Sequence, residues 1–220
     1  MKKIMIIDGG PRKKFNLAEL FESFKEGVRS VTDAIEVKHI YLYDLDYKGC
    51  VSCMGCKLAG NKNYGRCLRK DDLSPLLEEL KTVHGIVFGS PMYYMDVTGE
   101  MQSALERIIF PYGDYKSMRY EHRDIPTATF YTMNATPDYL ANEGPMKTNI
   151  ERVDLCVSLR WQKPERVAAC CTMQVRDYSR YEFSDEWTNA HIAWRDAHWE
   201  EDKQKAYEAG VNMANKILNV

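Results

Sequence analysis

The sequence has no uninterrupted apolar run of about 18 residues, the length that a membrane-spanning helix needs. It also lacks an excess of basic residues, since 30 lysines and arginines stand against 32 aspartates and glutamates. A general nucleic-acid binder, or a protein of anionic membrane surfaces, would carry such an excess. The chain contains no internal repeat, low-complexity segment or linker. These absences predict a protein with no nucleic-acid partner and no membrane partner.

Length and cysteine content narrow the class further. At 220 residues the chain is long enough to bury a sizeable core, so we expect one domain over residues 1–220. The apolar run at 3–7 ends at Asp8 without the small-residue cleavage site of a secretory signal, and we interpret it as a first strand. Seven cysteines fit a reducing compartment better than an oxidising one. We therefore expect a cytoplasmic protein.

Short apolar runs alternate with amphipathic segments along the chain. The runs of strand type cover 3–7, 35–42, 85–88, 127–132 and 166–172, and the segments of helical type cover 17–28, 73–80, 99–109, 149–159 and 203–218. This alternation predicts a three-layer α/β sandwich, in which a five-stranded parallel sheet has helices on both faces. Ligands of such sheets bind outside the carboxyl ends of the strands. We therefore expect the loops at 9–16, 89–98 and 132–137 to meet there.

The first of these loops, GGPRKKFN at 9–16, joins a strand to the start of a helix that Asn16 is expected to cap. Glycines allow close approach of a ligand to the backbone, and amides at a helix start favour an anion. The spacing matches neither a Walker A loop nor a GxGxxG fingerprint. The loop therefore predicts either a phosphate site of another type or an ordinary turn with solvated basic residues.

The second loop, GSPMYYMDVTG at 89–99, places flat and polarisable side chains at the expected ligand edge. A planar aromatic cofactor needs stacking surface of this type, with backbone amides near its polar rim. The alternative is that the tyrosines of this loop only cover the core. We favour the ligand interpretation.

A segment at 49–72 contains four of the seven cysteines, Cys50, Cys53, Cys56 and Cys67. Its Cys-x2-Cys-x2-Cys pattern with a later cysteine is a scaffold for a [4Fe–4S] cluster, which needs four converging thiolates. Zinc is a second alternative, although paired knuckles suit tetrahedral zinc better. Reduced thiols close to a cofactor, able to form a redox disulfide, are the third. The residues by themselves leave these alternatives open.

Other candidates have simpler interpretations. We expect Cys156, Cys170 and Cys171 to pack in the core, and Asp71 and Asp72 to mark a helix start. His191 and His198 lie among tryptophans on one predicted helix, where a pocket wall or a subunit interface is favoured over a metal pair.

Together, these segments resemble a known family. DGGPRKKFN at 8–16, the cysteine segment, VFGSPMYYMDVTGEMQSALER at 87–107 and TMNATP at 132–137 are similar, in combination and order, to the flavodoxin-like NAD(P)H-dependent FMN reductases. The resemblance is closest to the branch that includes the iron–sulfur flavoproteins, and it covers roughly the first 137 residues. It implies a flavodoxin-like fold and an FMN cofactor.

The resemblance also implies which residues hold the FMN. The phosphate would lie against Gly10, Pro11, Arg12, Asn16 and Leu17. The ribityl chain and the ring would lie against Pro91, Met92, Tyr93, Tyr94, Met95, Asp96, Thr132, Met133 and Asn134. Family members usually have Ser at the position of Gly10, Thr at that of Leu17 and often Gly at that of Met95. Two hydroxyl donors are therefore missing here, and the pocket is expected to be narrower.

The implied activity is hydride transfer from NAD(P)H to FMN and electron transfer onward to a small acceptor such as a quinone, a nitro or azo compound or a flavin. No side-chain acid or base is required. The implied alternative is an iron–sulfur flavoprotein that carries electrons between a [4Fe–4S] cluster on the four cysteines, FMN and a protein partner. A metal-stabilised binding module without redox activity is a rival from another class. We expect a homodimer or homotetramer in which the insertion at 110–124 is a lid or interface segment.

Overall fold

The computed structural model describes residues 1–142 and 144–219. Its strands are β1 Lys2–Asp8, β2 Ile35–Tyr41, β3 Gly85–Tyr93, β4 Asp96–Val97, β5 Gly113–Asp114, β6 Arg119–Tyr120, β7 Thr127–Thr132 and β8 Glu165–Ala169. Its α-helices are α1 Asn16–Val31, α2 Leu73–Glu79, α3 Gly99–Ile109, α4 Pro137–Ala141, α5 Pro145–Arg160 and α6 Asp185–Leu218. Among the helices of these ranges, none combines the length and the hydropathy needed to cross a bilayer.

The main sheet has the strand order β2-β1-β3-β7-β8, and every pairing along this path is parallel. Counting only these five strands, the order is 2-1-3-4-5, which defines the flavodoxin-like fold. The predicted five-stranded parallel sheet is therefore confirmed. The short β4 adds an antiparallel hairpin to the end of β3, and β5 and β6 form a separate ribbon within the 110–124 insertion.

Two apolar layers cover the two faces of the sheet. Alternate residues of a strand point to opposite faces. Ile4 and Ile6 of β1 therefore pack with α1 and α6, whereas Met5 and Ile7 pack on the other face with α2, α3 and α5. On that second face Trp161, just after α5, is fully buried against Phe88. Both layers meet at the sheet, so the predicted three-layer sandwich is confirmed.

The pair formed by α1 and α6 depends on two glycines. A Cβ added to Gly27 would overlap the Tyr207 carbonyl oxygen, and a Cβ added to Gly210 would overlap the Phe24 carbonyl oxygen. Both clashes are with backbone of the opposite helix, which cannot rotate out of the way. The two helices therefore pack at backbone contact, and this contact fixes where α1 begins relative to the sheet.

The sequence prediction was wrong in two details of these helices. The closing helix was expected at 203–218 but begins at Asp185, where the Ser184 hydroxyl accepts a hydrogen bond from the Trp187 amide. Its first half places tryptophans among charged residues and contacts both a loop and α1. Trp187 packs on Phe183, and Trp199 Nε1 donates to Glu19 Oε2 of α1. Asn16 was expected as a cap but is the first residue inside α1, and Phe15 occupies the cap position without a side-chain bond.

The 110–124 insertion is anchored far from the carboxyl edge of the sheet. The Arg160 guanidinium stacks over the Tyr112 ring at 3.0 Å from its centroid. Arg123 donates to the carbonyl oxygens of Leu80 and Val83 at 2.7 and 2.9 Å, and both of these residues precede β3. The insertion therefore reaches the amino end of the sheet, and its expected role as a lid or interface stays a prediction.

Candidate functional site

A cavity of about 290 Å³ opens at the carboxyl edge of the sheet. The three loops predicted to meet there do so, and a fourth loop, after β8, joins them. The lining residues are Gly10, Pro11, Arg12, Phe15, Asn16, Leu17, Pro91, Met92, Tyr93, Thr132, Met133, Asn134, Thr172, Met173 and Gln174. Eleven of the fourteen residues expected to hold FMN therefore line one cavity.

The first loop is fixed from below by Asp8. This buried carboxylate accepts a hydrogen bond from the Gly10 amide at 2.7 Å, and its other oxygen lies 3.0 Å from Nε2 of His39. Because Phe15 provides no side-chain cap, the first amides of α1 keep their donors free. The amino-terminal end of a helix of this length carries a partial positive charge and attracts an anion. The chemistry of this end of the cavity therefore fits a phosphate group.

The fourth loop is held by two residues of the first. Asn16 Nδ2 donates to the Met173 carbonyl oxygen at 2.7 Å, and Arg12 Nη1 donates to the Gln174 carbonyl oxygen. Sequence reasoning missed Thr172, Met173 and Gln174, because it extended the last strand to residue 172. The carboxyl ends of all parallel strands lie at the same edge of the sheet. Applied to β8, this rule would have placed the segment after it at the cavity.

The second loop places only part of its residues at the cavity. Tyr94 and Met95 form the two-residue turn between β3 and β4, with positive φ angles of 49° and 67°. The Tyr94 side chain is fully exposed, and Asp96 forms an ion pair with Arg152 at 2.9 Å. Tyr94, Met95 and Asp96 lie outside the lining, so this placement does not support the expectation that they contact the cofactor.

The third loop offers an unpaired donor. Asn134 lines the cavity, and its buried Nδ2 has no hydrogen-bond partner among the described residues. Its backbone oxygen is 2.6 Å from Nε2 of His191, a buried residue of α6 that stacks on Trp187. Buried polar groups are almost always paired in proteins. An unsatisfied amide donor on a residue that lines the cavity therefore fits a ligand with acceptors along its rim.

The four cysteines line a separate cavity of about 20 Å³, and none of its lining residues belongs to the first cavity. Cys50 and Cys53 are exposed, Cys67 is half-buried and Cys56 is buried. Burial raises the pKa of the Cys56 thiol. A volume of this size holds about one water, so it does not accommodate an eight-atom [4Fe–4S] core as arranged. Across residues 1–142 and 144–219, no three metal-ligating side chains converge.

A buried ion pair supports the cysteine segment. The fully buried Arg107 donates to Asp71 Oδ2 at 2.6 Å and to the Lys48 carbonyl oxygen at 2.9 Å. Burial alone would raise the pKa of Asp71, but hydrogen bonds from Arg107 and Arg69 outweigh it and hold that pKa below its usual value. Asp71 therefore has a structural role that explains its charge.

The fold and the cavity define a flavodoxin-like protein with a site for a phosphate-bearing planar ligand at its carboxyl edge. The model of the NADPH-dependent FMN reductase family matches residues 2–128, which is more than half of the chain. The chain therefore belongs to this family, and the predicted resemblance is confirmed.

Individual relatives agree with this assignment. An iron–sulfur flavoprotein of Archaeoglobus fulgidus is 31% identical over 106 residues, which is 48% of this chain and 48% of the relative. The chain spans about half the length of the curated relatives it matches.

Two solved structures share the fold over nearly all of this chain. An FMN-dependent NADH-azoreductase from Bacillus anthracis in complex with FMN has a TM-score of 0.66 at 12% identity, covering 97% of this chain and 100% of that one. An NAD(P)H:quinone oxidoreductase from Methanothermobacter marburgensis has a TM-score of 0.63 at 16% identity, covering 96% of each chain.

Proposed function

We propose that this protein is an FMN-dependent oxidoreductase that uses NAD(P)H and reduces a small acceptor such as a quinone, a nitro or azo compound or a flavin. The observation that carries the proposal is the cavity at the carboxyl edge, with an uncapped helix start at one end and an unpaired amide donor at the other. Membership of the FMN reductase family supports FMN as the ligand and NAD(P)H as the donor.

The residues of the cavity divide into two groups. The start of α1, with Pro11, Arg12 and Asn16, would bind the phosphate. Met92 and Tyr93 would provide stacking surface, and Asn134 would donate to the polar rim of the ring. Bound FMN supplies the redox chemistry by accepting hydride and releasing electrons. The chain's own part is to bind and orient, because none of the cavity residues is needed as an acid or base.

Two positions, Gly10 and Leu17, distinguish this phosphate site from the usual pattern of the family. Leu17 is buried and packs in the core, so it offers no hydroxyl where the family usually has one. The Gly10 amide is already bonded to Asp8. Phosphate binding therefore depends on the remaining amides of the first turn of α1 and on the guanidinium donors of Arg12 that Gln174 leaves free.

A matched pair of variants tests the pocket. Tyr93 lines the cavity, whereas the neighbouring Tyr94 points to solvent. We expect Tyr93→Ala to weaken FMN binding about tenfold, from the loss of one stacking contact, and Tyr94→Ala to leave it unchanged. Apoprotein titrated with FMN, followed by flavin fluorescence, measures both affinities. Equal affinity in both variants and the wild type would reject the assigned pocket.

The iron–sulfur flavoprotein is the second candidate function. It is favoured by the curated relatives of that name and by the shared cavity of Cys50, Cys53, Cys56 and Cys67. A visible spectrum of anaerobically purified protein, with iron, zinc and released flavin assayed on the same sample, separates the two. Flavin bands without iron support the FMN reductase. About four irons per chain, under a broad absorption, would establish the iron–sulfur alternative and require the cysteine segment to rearrange.

The assembly and location follow as proposals. We propose a cytoplasmic homodimer or homotetramer formed by one domain over 1–220. Tyr94 at the β3–β4 turn and Met118 in the 110–124 insertion are exposed apolar side chains of the type that subunit interfaces bury. Light scattering after size-exclusion chromatography measures the assembly, and a monomer at micromolar concentration would contradict it.

A further inference from the structure

An aromatic cluster, formed by Tyr178, Phe183, Trp187 and His191, lies at the amino-terminal end of α6 and just before it. Tyr178 meets Phe183 edge to face, with ring centroids 5.2 Å apart. Trp187 stacks on Phe183 at 5.3 Å and on His191 at 4.0 Å. The two end members, Tyr178 and His191, are buried. The whole cluster lies outside residues 2–128, which the family model matches, so membership of the family does not explain it.

Each end of the aromatic cluster holds one loop of the cofactor cavity. His191 Nε2 lies 2.6 Å from the Asn134 carbonyl oxygen, and because a carbonyl oxygen can only accept, Nε2 carries the proton and donates. The Tyr178 hydroxyl accepts a hydrogen bond from the Gln174 amide at 3.0 Å. Asn134 and Gln174 both line the cavity. The cluster therefore supports the third and fourth loops from outside the cavity.

The bond to Asn134 differs from the other bonds that hold the third loop. The carbonyl oxygens on either side of it, those of Met133 and Ala135, accept from backbone amides of the segment after β8, at 2.9 Å each. The Asn134 carbonyl oxygen is held instead by the side chain of His191. A substitution at His191 therefore releases this one carbonyl and leaves the neighbouring backbone bonds intact.

The residue that His191 holds is also the one with a free donor. Asn134 Nδ2 is buried and has no hydrogen-bond partner among the described residues. Fixing the Asn134 backbone restricts the positions that Nδ2 can reach, so the donor is in place before a ligand binds. A hydrogen bond to a flavin ring strengthens when the ring gains negative charge on reduction. A donor held at the rim therefore binds the reduced ring more tightly than the oxidised ring.

We propose that His191 is a positioning residue for the flavin, which holds Asn134 so that its Nδ2 donates to the rim of the bound ring and stabilises the reduced cofactor relative to the oxidised one. The inference rests on the proposed function, because it requires FMN in the cavity. It gives the amino-terminal half of α6 a part in setting the reduction potential.

Two matched variants separate this role from general support of the fold. His191→Phe keeps a ring that can stack on Trp187 but loses the donor. His198→Phe is the same change seven residues further along α6, where the ring stacks on Trp194 at 3.9 Å and its Nδ1 lies 2.8 Å from the carbonyl oxygen of that same residue.

The measurement is the midpoint potential of the bound flavin, by anaerobic reductive titration against a reference dye. In His191→Phe we expect the Kd of reduced FMN to rise about tenfold more than that of oxidised FMN, as loss of a charge-assisted bond implies. For a two-electron couple this lowers the potential by about 30 mV. His198→Phe should keep the wild-type potential, and His191→Gln, which retains an amide donor, should restore most of the shift.

A double-mutant cycle tests whether His191 acts through Asn134. Asn134→Ala should lower the potential by itself and abolish the effect of His191→Phe, because the donor that His191 positions is then absent. A wild-type potential in Asn134→Ala, additive shifts in the double variant, or an equal shift in His198→Phe would each overturn the proposal. The Asn134→Ala measurement decides the matter even if His191→Phe does not fold.

Failure of this inference is distinguishable from failure of the proposed function. A wild type that binds FMN but oxidises neither NADH nor NADPH refutes the proposed function, while the potentials still decide the role of His191. An active enzyme whose potential does not respond to His191→Phe refutes the inference alone. A wild type that binds no FMN refutes both.

Discussion

Replacing Gly210 by alanine should separate the two helices that position the cofactor loop. The added Cβ would overlap the Phe24 carbonyl oxygen and lie 3.0 Å from the backbone nitrogen of Val28. An ordinary carbon–oxygen contact is about 3.3–3.6 Å, so α6 must move away from α1 by roughly an ångström. Overpacking of this kind costs about 1–3 kcal/mol, occasionally more. Better helix propensity of alanine returns about 1 kcal/mol.

The net loss of unfolding free energy is therefore about 2 kcal/mol, because the clash is with rigid backbone and lies at the upper end of that range. For a chain of this size, that lowers Tm by about 4–8 °C. Differential scanning calorimetry measures it, with Gly99→Ala as the control. Gly99 also lies in a helix, but its added Cβ would meet nothing within 4 Å. Equal Tm values for the two variants would refute the backbone contact between α1 and α6.

Three further predictions concern buried polar groups and thiols. Tyr131→Phe removes a 2.8 Å hydrogen bond to buried Asp154, so the free energy of urea unfolding should fall by about 2 kcal/mol; an unchanged midpoint contradicts this. Burial raises the pKa of Cys170 to about 12, so iodoacetamide at pH 8 should label exposed Cys53 long before Cys170 by mass spectrometry, and the reverse order would be refuting. The pKa of Asp71 is lowered in the folded state. Its ionised carboxylate therefore stabilises the fold fully at pH values above the unfolded pKa of about 3.9, and this stabilisation is lost as the pH falls through the folded pKa. Destabilisation by Asp71→Asn should therefore be large at pH 6 and shrink below about pH 4; a pH-independent effect would contradict it.

The sheet could be predicted because its information is local. Residues 4–7 are continuously apolar and lie in β1, a central strand that the core buries on both faces. The turn residues after it correctly mark the first loop of the cavity, because glycine and proline interrupt regular structure whatever lies around them. By contrast, the sequence placed His191 and His198 on a helix but did not show that this helix runs without a break into the segment at 203–218.

The family resemblance predicted most of the residues that line the cavity, but not which neighbouring side chains point away from it. Tyr93 and Tyr94 are indistinguishable by residue type, yet one lines the cavity and the other points to solvent. The difference arises because Tyr93 is the last residue of β3, whereas Tyr94 is the first residue of the two-residue turn and has a positive φ angle. Likewise, the cysteine segment follows a strand of the sheet but lies in a cavity of its own, because it packs along α3 beside Glu106.

The sequence by itself determined the order in which strands and helices follow one another along the chain. It also determined the loops at 9–16, 89–98 and 132–137, and the family. Only the tertiary structure decided that residues 172–174 line the same cavity as the loop at 9–16. The two segments are distant in sequence, and no local pattern links them. They meet because parallel strands deliver the ends of β1 and β8 to the same edge of one sheet, where the bond from Arg12 to the Gln174 carbonyl oxygen joins the two loops.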